Sequence, residues 1–238
     1  MEKVQKVISN SGFCSRRQAE ELIKQNKVKV NGELATIGMR VKQSDIIEIN
    51  GKIINKNDSK VYFLLNKPRG VVTTSSDELG RKTVVDLINT NKRIYPVGRL
   101  DYDTTGVLLL TNDGELTNKL THPKNNVDKV YIAKIEGIIN GTDINKLKQG
   151  VQIDNYVTSP ARVKLRSINK KTKTSIVEIT IHEGHNHQVK NMFESIGYKV
   201  IKLNLSDSNV NFKDIACGLL HNKVKQVFGV RFLFFVTS

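Results

Sequence analysis

Apolar strand-like runs, which begin at residue 61, constrain the fold of this chain more than any other feature. The runs are rich in Val, Ile and Leu, and they read VYFLLN, GVVTT, VLLLT, KVYIAKI, SIVEITI, KVIKLNL and VRFLFFV. Between them stand helical stretches, which read TVVDLINT, ELTNKLTH, TDINKLKQG and HQVKNMFESIG. Strands interspersed with helices and short turns predict an α+β domain with a mixed, largely antiparallel sheet over residues 61–238.

The N-terminal pattern differs and predicts a small separate module over residues 1–57. A short helical stripe begins at Val4 and can end at Gly12. Ser15 followed by Gln18 fits a capping box that opens a second helix.

Two strand pairs are predicted to complete this module. KVKVNG is an alternating strand that enters an Asn-Gly turn, and VKQSDIIEING indicates another pair with Gly51 at the turn. The polar segment NKNDSK, residues 55–60, is the predicted linker.

The formal net charge of +15 indicates a polyanionic partner, because Lys and Arg contacts to phosphates release condensed counterions. No stretch is apolar enough to span a bilayer, and the start MEKVQKVISN lacks a signal-peptide core. Cys14 and Cys217 lie far apart, which favours reduced thiols over a disulfide. We therefore expect a soluble cytoplasmic protein without a membrane partner.

The run GRLDYDTTGVLLLTNDGEL, residues 98–116, contains the strongest candidate site. It indicates a loop bounded by Gly98 and Gly106, then a fully buried strand over 107–110, a turn and the start of a helix. The carboxylate of Asp101 stands beside an arginine just before that strand, where it can be held rigidly at the mouth of a cleft. The alternative is an Asx-type turn whose carboxylate caps backbone amides.

The spacing GRLDxxTxG followed by LLLTNDGEL resembles the signature of the RsuA/RluB branch of ribosomal-RNA pseudouridine synthases. LLNKPRGVVTT, KVYIAKI and HEGHNHQVKNMF resemble further elements of that family, in the family's order, and GFCSRRQAEELIKQNKVKVNG resembles an S4 RNA-binding domain. The resemblance covers nearly the whole chain. It implies an S4-like (α-L) domain followed by a catalytic domain that converts a uridine of ribosomal RNA to pseudouridine.

The resemblance also implies three catalytic residues. Asp101 is then the catalytic aspartate, Tyr131 stacks on the target base, and Lys190 pairs with the aspartate. An ionised carboxylate in a partly dry cleft requires such a cation. Attack on C1′, attack on C6 and deprotonation of C2′ all stay open, and no cofactor is expected because the isomerisation needs no redox change. Without the resemblance, Tyr131 on its apolar strand would be taken as a core residue.

Other residues are candidates for RNA contacts or for the shape of the site. We expect RNA contacts from Arg16, Arg17, Lys24, Lys67, Arg69, Arg99, His187 and Gln188. We expect structural roles around the active site for Gly98, Thr104, Gly106 and Leu203. Exposed arginines such as the adjacent pair in the second helix can also serve solubility alone.

A histidine cluster in HEGHNH raises the question of a metal site. The zinc-peptidase pattern His-Glu-x-x-His requires a second histidine where this chain has Asn186, and Gly184 weakens the required helix. We therefore expect no metal.

The RNA target is the least constrained property. IYPVGRLDYDTTGVLLLTNDGEL with the following DKVYIAKI is most similar to the large-subunit branch of Gram-positive bacteria, which predicts 23S rRNA, free or in a pre-ribosomal particle. HNHQVK slightly favours the 16S alternative. His185 and Asn191 stand where the family usually has arginine, and the tail beyond Leu203 departs from the family, so both changes can alter the RNA selected. We expect a monomer.

Two other functions stay open at this point. A non-catalytic RNA-binding or ribosome-assembly factor could keep the same fold. Asp101 and Asp103 could also form a carboxylate pair for hydrolysis of a glycoside or phosphoester, although that reading leaves the positive charge less well explained.

Overall fold

The computed structural model describes residues 1–56 and 59–206. The N-terminal part consists of two helices and six short strands: β1 (Glu2–Lys3), α1 (Val4–Asn10), α2 (Arg16–Lys24), β2 (Val28–Val30), β3 (Glu33–Leu34), β4 (Arg40–Val41), β5 (Ile47–Ile49) and β6 (Lys52–Ile53). Strands β3, β2, β5 and β6 form an antiparallel sheet in that order, and β1 pairs with β4.

Local signals in the sequence determine the start of helix α2. The backbone N–H of Gln18 donates to the Ser15 hydroxyl at 3.2 Å, and the Ser15 N–H donates to the Gln18 side chain at 2.9 Å. The predicted capping box is therefore confirmed. The helix buries Ala19 and Ile23 in a small apolar core that also contains Val4 of α1.

Asn-Gly pairs make both hairpin turns of this module. Asn31 and Gly32 have φ of 52° and 87°, and Asn50 and Gly51 have φ of 52° and 76°. Positive φ at both central residues matches the right-handed twist of the flanking strands. The predicted strand pairs are confirmed at both turns.

The second part contains nine strands and three α-helices among the described residues: β7 (Tyr62–Lys67), β8 (Tyr95–Pro96), β9 (Thr105–Thr111), α3 (Gly114–Thr121), β10 (Lys129–Glu136), α4 (Gly141–Gln149), β11 (Gln152–Ile153), β12 (Tyr156–Val157), β13 (Arg162–Asn169), β14 (Thr174–Ile181), α5 (Gln188–Ser195) and β15 (Val200–Leu205). Short 3₁₀ turns stand at Val85–Leu87 and Pro123–Asn125.

One sheet runs through this part in the order β13-β14-β10-β15-β9-β7, with β8 paired to β9. Only the β15–β9 pair is parallel among the described strands, so the predicted mixed, largely antiparallel sheet is confirmed. That parallel pair is short: Asn204 stands opposite Thr105, and Leu205 stands opposite Gly106.

Two apolar cores flank the β15–β9 boundary. On one side, helices α4 and α5 bury Leu147, Met192 and Phe193 against strands β10 and β14. On the other side, a second core centred on Leu108 and Leu110 packs under β7 and β9. The candidate site lies where these two cores meet.

Two predicted elements around residues 70–90 are wrong. GVVTT forms no strand of the sheet, because Val72 makes an isolated bridge to Thr83 instead. TVVDLINT forms only the 3₁₀ turn at Val85–Leu87. The Asp86 carboxylate accepts from the Thr83 N–H at the start of this turn, but the extended backbone of Ile88, with φ of −114° and ψ of 119°, ends it. The Val84 N–H donates to the Val72 carbonyl at 3.0 Å, which ties the segment to the preceding loop.

The sequence patterns missed strand β13 and overstated the burial of β9. In β13 exposed charged residues alternate with Val163 and Leu165, and a bulge interrupts the register after Leu165. In β9 burial alternates from Thr105 to Leu110, so Val107 and Leu109 are half-buried rather than fully buried. The predicted strand VRFLFFV and Cys217 lie outside the described residues, as does part of the predicted linker. No described helix has the length and hydropathy needed to cross a bilayer.

Candidate active site

Backbone hydrogen bonds fix the loop that carries Asp101. The Thr104 N–H donates to the Asp101 carbonyl at 3.1 Å, and the Gly70 N–H donates to the Tyr102 carbonyl at 2.8 Å. The Thr73 hydroxyl donates to the Leu100 carbonyl at 2.5 Å. The loop therefore has a defined conformation on both sides of the aspartate.

Lys67 lies beneath this loop, fully buried. Its ammonium donates to the backbone carbonyls of Asp101 at 2.9 Å and of Thr104 at 3.0 Å, and also to those of Pro68 and Tyr102. Burial lowers the pKa of Lys67, an effect that the nearby Asp101 and Asp103 carboxylates oppose. The prediction that Lys67 contacts RNA phosphates is wrong, because its ammonium has no exposed surface and instead holds the loop.

Lys190 of α5 joins both carboxylates of the loop. Its Nζ lies 3.1 Å from Oδ2 of Asp101 and 2.5 Å from Oδ1 of Asp103. Burial alone would lower the pKa of Lys190, but the hydrogen bonds to Asp103 and Asp101 outweigh burial and raise it. The hydrogen bond from Lys190 lowers the pKa of Asp103. The cation therefore stays charged beside the carboxylates at neutral pH.

Helix α5 positions Lys190 because its opposite face is buried. Val189, Met192 and Phe193 pack into the apolar core, which fixes the rotation of the helix. His187 precedes the helix in a left-handed conformation, with φ of 51°. Its Nε2 lies 3.6 Å from Oδ1 of Asp101, so a protonated His187 would add a second cation there.

Gln188 is buried rather than exposed, which contradicts its predicted contact with RNA. Its amide donates to the Glu183 carboxylate at 2.5 Å, and its carbonyl accepts from the His185 N–H at 3.1 Å. Gln188 thus holds the loop that precedes α5.

Tyr131 lies in the wall of a cavity of about 440 Å³ that Asp101 and His187 also line. Burial, and to a lesser degree the Asp101 carboxylate, raises the pKa of Tyr131 to about 12. The phenol is therefore neutral at physiological pH. Its ring packs against both apolar cores, so it is fixed at their junction.

Lys129 and Glu183 complete one side of the cavity, and the sequence patterns did not single them out. The Lys129 ammonium donates to the Glu183 carbonyl at 2.8 Å. Burial would raise the pKa of Glu183, but hydrogen bonds from Ser159 and Gln188 outweigh burial and lower it. The position of Glu183 two residues after the end of strand β14, at the start of a short loop, was the signal in the sequence that could have identified it.

The predicted structural residues lie in the frame of the site. A Cβ on Gly106, whose φ is 129°, would stand 2.3 Å from the Leu205 carbonyl oxygen, so the parallel pair requires glycine there. Gly98 has φ of 80°, and Thr104 is buried and supplies a carbonyl to Lys67. Leu203 is buried opposite Ala133.

The remaining predicted RNA contacts are exposed cations. Arg99 lines the cavity, and Arg69 is exposed and interacts electrostatically with Asp103. Arg17 lies on the surface of α2. Lys24 pairs with Glu21 at 3.3 Å. Arg16 is exposed but lies near the start of α3, since a Cβ added to Gly114 would stand 3.7 Å from the Arg16 guanidinium. This arginine of the N-terminal part therefore lies beside the second part of the chain.

The histidine cluster does not form a metal site in the described part of the chain. No group of three or more His, Cys, Asp or Glu side chains there could hold an ion. His185 stacks its ring on Tyr156 at a centroid distance of 4.3 Å, with 32° between the ring planes.

Comparisons with known proteins agree with this arrangement. Residues 61–195 match the family RNA pseudouridylate synthase, and residues 2–47 match the S4 domain. The chain is 55% identical over 205 residues to the ribosomal large subunit pseudouridine synthase B of Bacillus subtilis, which covers 85% of this chain and 84% of that protein.

More distant relatives carry related names. The dual-specificity RNA pseudouridine synthase RluF of Escherichia coli strain K12 is 38% identical over 219 residues, which is 91% of this chain and 73% of that protein. A crystal structure of a pseudouridylate synthase superimposes with a TM-score of 0.59 at 30% identity, covering 86% of this chain and 87% of the other.

Proposed function

This chain belongs to the RNA pseudouridylate synthase family and converts uridine in ribosomal RNA to pseudouridine, and we propose that its target is a uridine of 23S rRNA, with Asp101 as the catalytic carboxylate. The observation that carries the site assignment is the 3.1 Å contact between Lys190 Nζ and Oδ2 of Asp101 at the edge of the cavity. The similarity to a large-subunit synthase supports the choice of 23S rRNA.

Each catalytic residue has a distinct task in this proposal. Lys190 places a cation 3.1 Å from the Asp101 carboxylate, which is the group that attacks the ribose or the base, or removes a ribose proton. Tyr131 stacks on the uracil and holds the base for reattachment through C5. The tyrosine does so as a neutral phenol, because its pKa is about 12.

Access to the cavity requires the uridine to leave the base stack. Extrusion costs a few kcal/mol and is least costly in a loop or single strand, which favours such a target. Arg69 and Arg99 beside the site and Arg16, Arg17 and Lys24 on the N-terminal module supply cations for the RNA backbone. In this proposal the protein acts as a monomer in the cytoplasm, on free 23S rRNA or on a pre-ribosomal particle. Residues 1–57 are the RNA-binding domain, and residues 61–238 are the catalytic domain.

The test is pseudouridine mapping in unmodified 23S and 16S rRNA transcripts after incubation with the purified protein. Wild type should modify one site in 23S rRNA, and Asp101→Asn should modify none while it still binds the RNA. Modification of 16S rRNA alone would reject the proposed target. Wild-type turnover by Asp101→Asn would reject the catalytic assignment.

A further inference from the structure

Tyr102, the residue that follows the reactive Asp101, carries an exposed aromatic side chain. The residue is 53% exposed, although its neighbours on both sides, Asp101 and Asp103, turn their carboxylates toward Lys190. The Tyr102 hydroxyl lies on the side of Gly70, where an added Cβ would stand 3.8 Å from it. The ring therefore occupies the outer rim of the catalytic loop.

The backbone beneath this ring is fixed. The Tyr102 carbonyl accepts hydrogen bonds from the Gly70 N–H at 2.8 Å and from the Lys67 ammonium at 3.4 Å. A side chain on a fixed backbone loses little further conformational freedom when it binds a ligand, and tyrosine has only two flexible torsions. An exposed aromatic ring held in this way is suited to contact a flat partner.

One guanidinium interacts with Tyr102 itself, and two others accompany the neighbouring aspartates. Arg69 interacts electrostatically with Asp103, Arg81 interacts with Tyr102, and Arg99 is exposed two residues before the catalytic aspartate. Arg81 is also held by Asp77 at 2.8 Å, so its guanidinium has a fixed place. An exposed aromatic face with a guanidinium nearby matches a nucleotide, whose base stacks and whose phosphate is anionic.

We propose that Tyr102 is the platform on which a nucleobase adjacent to the target uridine stacks when that uridine enters the cavity. Extrusion of the uridine removes one stacking partner from each neighbouring base, and the Tyr102 ring replaces it for one of them. This inference rests on the proposed function. Tyr102 is a positioning residue in this scheme, and it takes no part in the bond changes at the uridine.

The first test separates binding from chemistry in Tyr102→Leu and Tyr102→Phe, assayed on the rRNA fragment that contains the mapped uridine. Loss of one base–aromatic stack should raise KM about ten-fold in Tyr102→Leu, with kcat within about two-fold of wild type. Tyr102→Phe should restore the wild-type KM, because the ring face remains. Ile138→Ala, which truncates another exposed apolar residue away from the site, is the matched control and should change neither constant.

The second test measures, by fluorescence and without turnover, whether a base stacks on Tyr102. Fluorescent 2-aminopurine replaces either neighbour of the target uridine, and one of the two positions should be quenched on binding to wild type and Tyr102→Phe but not to Tyr102→Leu. An unchanged KM in Tyr102→Leu, failure of Tyr102→Phe to rescue, or equal quenching in all variants would overturn the platform. A wild-type protein that makes no pseudouridine in either rRNA would instead reject the proposed function, whereas the three outcomes above overturn the platform in a protein that does modify RNA.

Discussion

Lys190 Nζ lies 3.1 Å from Oδ2 of Asp101, which joins helix α5 to the loop before strand β9. The same ammonium is 2.5 Å from Oδ1 of Asp103. One cation thus serves two carboxylates, and only one of them belongs to the proposed chemistry. This arrangement leads to predictions that separate catalysis, stability and RNA affinity.

Lys190→Met should reduce kcat about 100-fold, because a fixed cation beside the reactive carboxylate is removed. RNA affinity should change less than about three-fold, since the ammonium contacts carboxylates rather than phosphates. Lys190→Arg, which keeps the charge, is the control and should lose less activity. Single-turnover kinetics and filter binding check both quantities; a large loss of affinity with unchanged kcat would contradict the ion-pair role.

Lys67→Met should lower the free energy of unfolding by about 2–4 kcal/mol, because buried carbonyls lose a charged donor. The salt dependence of RNA binding should stay as in wild type. Arg69→Met is the comparison: it should leave stability nearly unchanged and reduce the slope of log K against log salt by about 1. Urea unfolding and binding titrations at several salt concentrations measure these effects. A reduced salt slope in Lys67→Met would mean that its ammonium reaches RNA after all.

Gly106→Ala should destabilise the protein by about 3 kcal/mol or more, because the new Cβ would stand 2.3 Å from the Leu205 carbonyl oxygen. Gly80→Ala provides the control, since Gly80 also has positive φ but no atom within 4 Å of an added Cβ. Its cost should be about 1–2 kcal/mol, from the backbone conformation alone. Thermal unfolding of both variants gives the comparison, and equal costs would mean that the close approach of the strands is unimportant.

Asp103→Asn should reveal a pH-dependent contribution to stability. The hydrogen bond from Lys190 lowers the pKa of Asp103, so its stabilisation is present above an ordinary carboxyl pKa of about 4 and is lost as pH falls through the lowered value. Because the side chain is 46% exposed, we expect at most about 1 kcal/mol. The difference in unfolding free energy between wild type and Asp103→Asn should shrink between about pH 5 and pH 2. A difference that grows on acidification would have the wrong sign.

Local signals in the sequence predicted the N-terminal module well. A capping box and Asn-Gly turns act over a few residues, so Ser15, Gln18, Asn31 and Gly51 were sufficient to place helix α2 and the hairpins. The helix predicted over residues 83–90 was wrong because a contact distant in sequence decides the structure there. Their apolar spacing fits a helix, but Val84 bonds to Val72, a contact that no local pattern reveals.

The same distinction applies to the site. Motif resemblance pointed to Asp101, Tyr131 and Lys190, and the fold brings these residues to one junction. Lys67 was misassigned because lysine is ordinarily an exposed residue. Its burial follows from four carbonyls that converge only once the loop after Asp101 is folded.

The two-residue parallel pairing of β9 and β15 makes the catalytic centre a boundary between two apolar cores that meet at Tyr131. Separation along that boundary would move Lys190 away from Asp101 while the greater part of each apolar core stayed buried. Such sub-global opening has a lower free energy than complete unfolding. On gentle heating, this protein should therefore become inactive before it denatures, and amide exchange should be fastest where strands β9 and β15 meet.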